Sequence, residues 1–301
     1  MSRNYRITEE KSYMPDTMTR EERLQSVFDL RVPDRVPVAP AFAYFLCKFA
    51  GITSQDLWWD NARRRRAWEK VYDELGEFDA VYIMSSSSPM IYSWLFPMKM
   101  KWPGKDLPPE EPLQLLEEEL MKAEDYQLLT EPGKKPKKLL YSYLVTRMLG
   151  RSRTDLPGRI SFLTLVLLKA MVRDLFWMRG ERKRWESRGV PYLWMATSEA
   201  PFDNMSLMRS IEPFSLDLFR RPEEVRDAAL ACVDGFVFVV ETMAKLMGCM
   251  RVMIFLHRTA NSFISPRQFK TLAFPSLKGI VEKLAAKGYN MILHCDGDWE
   301  Q

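Results

Sequence analysis

Short β-branched and aliphatic runs alternate along this chain with longer stretches whose apolar residues recur at helical spacing. Thr19-Arg20-Glu21-Glu22 has the form of a capping box, with Leu24, Val27 and Phe28 on one helical face behind it. Five runs have the composition of buried strands: 36–40, 79–84, 191–197, 251–256 and 290–294. Between them the spacing predicts one helix over 54–75 closed by Gly76, a short helix near 113–122 in a loop-rich region, and a basic helical stretch over 139–188. Pro222 followed by Glu223 and Glu224 opens a helix that runs to Gly248, and Ser265-Pro266-Arg267-Gln268 is a second capping box.

Strands alternating with helices indicate parallel β-α repetition, either a (β/α)8 TIM barrel or a doubly wound sheet. No G-x-G-x-x-G fingerprint follows the first run, which counts against dinucleotide binding. The expectation is therefore an α/β chain forming a single barrel domain over 1–301. About five of its strands are present, the C-terminal part is missing, and 139–189 is a helical basic expansion within it.

Composition narrows the chemistry. The 301 residues carry 44 Lys plus Arg against 40 Asp plus Glu, a net charge of +4, which is too small to argue for nucleic acid. No two of the four cysteines form a C-x-x-C pair, so a zinc ribbon is excluded and a reducing, cytoplasmic setting is expected. The longest apolar run, 160–168, is too short to span a bilayer, and no membrane partner is expected. A G-x-S-x-G elbow is absent. The four arginines 63–66 point around a helix and fit a solvated, salt-bridged surface better than a nucleic-acid site.

Reacting groups of a barrel sit at the C-terminal ends of its strands. The second run ends in serines that include Ser85 and Ser86, whose polar loop suits substrate binding better than nucleophilic attack. After the third come Glu199 and Asp203, candidates for an acid–base pair, although Asp203 equally suits a helix cap. After the fourth come His257, Arg258 and Asn261, placed to bind a small-molecule substrate; a salt-bridging role for His257 and Arg258 is the plainer alternative. At the fifth stand His294, Cys295 and Asp296. His294 and Asp296 share a face at period two and suit Zn²⁺, though two ligands are too few for it.

Three strings resemble one family. Pro33-Asp34-Arg35-Val36-Pro37-Val38, Ala200-Pro201-Phe202-Asp203 and above all the run from Phe263 through Ser265-Pro266 to His294-Cys295-Asp296-Gly297 are similar to the uroporphyrinogen decarboxylase superfamily. That resemblance implies a distorted (β/α)8 barrel and one of two chemistries. The decarboxylases use arginines after the first strand and an aspartate after the second. Here those positions read Ala39-Pro40-Ala41-Phe42 and Ser85-Ser86-Ser87-Ser88. The cobalamin-linked methyltransferases bind zinc through a His, a Cys two residues later and a distant Cys. Here His294 matches, Asp296 stands two later, and Cys295 is one residue early. A His/Asp site favours an oxygen-linked methyl group over a soft thiol.

The resemblance thus implies metal-assisted methyl transfer, with zinc at His294, Asp296 and Cys295 and a corrinoid carried by a separate protein, since no D-x-H-x-x-G motif is present. A decarboxylase of a carboxylate-bearing substrate and a degenerate, non-catalytic barrel are the alternatives.

Overall fold

The computed structural model describes residues 16–76, 78–82, 88–130 and 157–299. Ser85 and Ser86, and the expansion before Pro157, lie outside them. Among the described residues the centre is a three-stranded parallel sheet in the order β3 (Ala196–Glu199), β4 (Arg251–Leu256), β5 (Asn290–Cys295). β4 is buried at every position but Phe255. A strand covered on both faces needs a continuous apolar run, and Val252-Met253-Ile254-Phe255-Leu256 supplies one.

The earlier runs stand beside this sheet without forming ladders. Asp79 N–H donates to the Val38 carbonyl at 2.7 Å, and Val81 makes an isolated parallel bridge to Tyr192. Segments near 38, 81, 192, β4 and β5 therefore follow one another in chain order, an arc of α/β structure; no closed barrel forms among the described residues. The expected strand over 36–40 fails for a local reason: Pro37 and Pro40 have no N–H to give a ladder. The third run is divided, with 191–193 serving Val81 and the true strand starting at Ala196.

A buried charge network ties the start of this arc. Helix α1 (Arg20–Phe28) carries Arg23, fully buried, which donates to Asp34 and to Asp79 at 2.6 Å each. Arg35 reaches the other Asp79 oxygen at 2.6 Å, and Val38 N–H donates to it at 2.7 Å. The Pro33–Val38 string is thus structural, anchoring its segment to the residue before Ala80.

Four helices follow: α2 (Phe45–Ala50), α3 (Ser54–Trp59), α4 (Asn61–Leu75) and α5 (Pro89–Leu95). The single helix expected over 54–75 is two, because Asp60 is extended and its carboxylate accepts from Ala62 and Arg63 N–H, restarting the helix. The arginine run is less solvated than expected. Arg64 is buried, 4.4 Å over the Trp177 ring, and Arg65 pairs with buried Glu181. No helix forms over 113–122; β2 (Gln114–Leu116) pairs antiparallel with β1 (Lys99–Lys101) instead.

After α6 (Asp125–Thr130) comes the 30-residue α7 (Pro157–Glu186). Then α8 (Pro201–Arg209), α9 (Ile211–Arg220) and α10 (Pro222–Met247) precede β4, and α11 (Pro266–Gln268), a π-helical turn (Phe269–Ala273) and α12 (Phe274–Ala285) precede β5. The main core joins the inner faces of α8, α10 and α12 to the sheet through Phe202, Val240, Ile254 and Ile280. A second core gathers Leu57, Trp68, Trp185 and Tyr192 under α4 and α7.

Candidate active site at the strand ends

Register places the candidate residues. Glu199 is paired with Phe255, and Phe255 with His294, across neighbouring parallel strands. Directly opposed residues in a sheet face the same way, so these three side chains form one row. Two residues further on, His257 and Asp296 form a second row on the same face. The His257 ring stacks on Phe255 at 5.4 Å and 9°, and His294 meets the same ring edge-on at 5.1 Å. Residue type alone does not mark Phe255 as part of the site, but counting back two positions from His257 along the strand finds it.

The polar groups connect in a line. Glu199 Oε2 lies 3.0 Å from His257 Nε2, His257 Nδ1 lies 2.7 Å from Asp296 Oδ2, and Asp296 Oδ1 lies 2.9 Å from His294 Nε2. The line runs from depth to surface: Glu199 is buried, His257 is partly covered, and Asp296 and His294 are open. Burial would depress the His257 pKa, but hydrogen bonds and charge from Glu199, then Asp296, outweigh it and raise the value to about 9. At neutral pH both ring nitrogens therefore carry protons.

Beneath the line sits Asp203, in the first turn of α8, with Pro201 opening the helix. Its Oδ1 accepts from Arg258 N–H at 2.7 Å, while Oδ2 is buried with no hydrogen-bond partner. Burial pushes its pKa up to about 7, with the Glu199 charge adding to the rise and the Arg258 and His257 N–H groups opposing it. Glu199 and Asp203, expected as an acid–base pair, are thus brought together around His257.

Arg258 and Asn261 sit apart from this line. The Arg258 guanidinium is bound to Glu117 and to the Ser206 carbonyl, so it ties the loop after β4 to α8. Asn261 N–H donates to the Asp298 carbonyl at 3.1 Å. Glu117 also accepts from Ser210 Oγ at 2.8 Å and from Ile211 N–H at 3.1 Å, across the start of α9. Ser210 adopts φ 68 and ψ 156, a conformation that favours glycine.

The described donors do not make up a zinc site. Zinc in a protein normally takes three or more ligands. Among the described residues no group of three His, Cys, Asp or Glu side chains is placed to hold a metal. Asp296 divides its two oxygens between the histidines. Cys295 pairs in register with Leu256, on the opposite face from His294, and burial raises its pKa, which keeps it a thiol.

Comparison with known proteins agrees with the architecture. Residues 190–301 match the family model described as uroporphyrinogen decarboxylase. A solved structure of a methyltransferase from Methanosarcina mazei is similar over 93% of this chain and 70% of that chain, with a TM-score of 0.56 and 15% identity. No curated protein matches.

Proposed function

We propose, from the match of residues 190–301 to the uroporphyrinogen decarboxylase model together with the similarity to a methyltransferase structure, that this chain is a methyltransferase-like enzyme of that superfamily. Its substrate would be a small molecule whose methyl group is bonded to an oxygen. The observation that carries the reading is the Glu199–His257–Asp296 arrangement, an imidazolium held between two carboxylates at parallel strand ends.

A methyl group leaving an oxygen leaves behind an alkoxide or phenoxide, which needs a proton. His257 can supply it where the substrate oxygen takes the place of open Asp296 at Nδ1, while the ion pair with buried Glu199 at Nε2 keeps the ring in place. Buried Glu199 keeps the ring charged, and open Asp296 with His294 gives a route for the proton to be replaced from solvent. Phe255 supplies an apolar face beside the ring. A corrinoid carried by a separate protein would supply the methyl acceptor.

The same site disfavours a poly-carboxylate tetrapyrrole. Glu199 and Asp296 surround one imidazolium, and the guanidinium of Arg258, the residue after His257, is already bound to Glu117. Carboxylates approaching this row meet like charge, and Arg258 has no free fork to offer them.

The test is spectroscopic. The purified chain is mixed with cob(I)alamin and a methoxylated aromatic compound, and formation of methylcobalamin is followed by absorbance, against His257→Gln. Methylcobalamin formed by wild type and lost in the variant is the expected result. Conversion of uroporphyrinogen to coproporphyrinogen with carbon dioxide release would overturn it in favour of the decarboxylase.

A further inference from the structure

The helix α7 has two unlike faces. Ala170, Asp174, Met178, Glu181 and Trp185 are buried at helical spacing, against the second core and α4. Roughly opposite them on the helical wheel, at about 100° per residue, stand Leu168, Val172 and Phe176. These are 54%, 44% and 69% exposed, with Met171 beside them at 43%. The outer side of a surface helix is ordinarily polar. Here it is apolar over three successive turns.

The charges around this stripe are mainly basic; the exposed acid on its side of the helix, Glu186, stands at the C-terminal end and pairs with Arg182 at 3.7 Å. Arg179 and Lys183 continue its line toward the C-terminus, and Lys169 and Arg173 flank it; all four are exposed. Asp174 and Glu181 lie on the buried face, and Asp174 accepts from Ser88 N–H while Glu181 is engaged by Arg65 and Arg184. A second copy meeting this face would bring like charges together. A sheet of anionic headgroups over hydrocarbon complements both the basic margin and the apolar stripe. An amphipathic helix with a basic margin can lie in the plane of a membrane interface without crossing it.

We propose that the outer face of α7 is a docking surface for an anionic lipid bilayer, with Leu168, Val172 and Phe176 entering the headgroup boundary and Lys169, Arg173, Arg179 and Lys183 contacting the headgroups. The inference is independent of the reaction at the strand ends.

Co-sedimentation of the full chain with vesicles tests it, using phosphatidylcholine alone and phosphatidylcholine mixed with phosphatidylserine. Binding to the mixed vesicles, weakened by salt and reduced roughly ten-fold or more by Val172→Glu with Phe176→Glu, is expected. Circular dichroism of the variant checks that it folds. If it does not, Arg179→Glu with Lys183→Glu carries the test, with the same loss of binding expected in a folded protein. No binding to the mixed vesicles, or binding unchanged in a folded variant, overturns the proposal. So does a wild-type dimer in sedimentation velocity that ignores vesicles and is dissociated by the same substitutions, which would assign the stripe to a second copy.

Discussion

Asp296 faces His257 through one carboxylate oxygen at 2.7 Å and His294 through the other at 2.9 Å. One exposed side chain on β5's end thus holds a partly covered imidazolium in place and links it to an open histidine. Replacing it by Asn keeps the shape and removes the charge. The His257 pKa should then fall from about 9 by roughly one unit, because Glu199 remains on the other nitrogen. Titration of the His257 ring by NMR measures this; an unchanged value would show that Glu199 alone sets the charge.

Stability should decline with rising pH on two accounts. The raised His257 pKa gives stability that is fully present below the ordinary histidine value near 6.5 and lost as pH rises through about 9. The raised Asp203 pKa gives stability present below the ordinary 3.8 and lost as pH rises through about 7. Asp203→Asn removes the second contribution, so its urea midpoint should change less between pH 5 and pH 8 than that of wild type. The difference corresponds to about 1.4 kcal/mol for each pH unit over which the carboxyl is protonated in the folded chain and ionised in the unfolded one. Parallel pH profiles for the two proteins would rule this out.

Asp79 is fully buried and holds both Arg23 and Arg35. Asp79→Ala leaves Arg23 facing a cavity with one carboxylate fewer and frees the Val38 N–H. A loss of about 3–5 kcal/mol is expected in chemical denaturation. Glu199, His257 and Asp296 lie at the other end of the strands, so His257 should titrate as in wild type wherever the variant is folded.

Ser210 allows the backbone and the hydroxyl to be separated. Ser210→Gly and Ser210→Ala both remove the hydrogen bond to Glu117, but only glycine adopts φ 68, ψ 156 freely. The glycine variant should be the more stable of the two by about 1–3 kcal/mol, read from paired urea melts. Equal stabilities would mean that the turn relaxes in the alanine variant.

Much of the C-terminal half is legible in the sequence. Unbroken apolar runs mark β4 and β5, and the capping boxes at Thr19 and Ser265 form as expected because their spacing is set within one turn. The π-helical turn at Phe269–Ala273 is not legible in advance, although Pro275 accounts for it: having no N–H, it leaves the Thr271 carbonyl without its helical donor, and the chain widens one turn beforehand. The candidate site is legible as a set of strand-end residues and not as a connected line. Which of Glu199, His257 and Asp296 touch depends on how strands distant in sequence align, information that no local spacing contains. Arg258 shows the same limit, since its partner Glu117 is 141 residues away.

The pairing of Phe255 with His294 has a chemical consequence. A slip of β5 by one residue against β4 would bring Cys295 to the row and turn both His294 and Asp296 toward the other face, exchanging an imidazole for a thiol beside Glu199 alone. The acid–base character of this rim is therefore written in the backbone ladder between Arg251–Leu256 and Asn290–Cys295 as much as in the residues themselves. An insertion or deletion of one residue between Gly288 and His294 would change the groups presented on this row without any substitution in it.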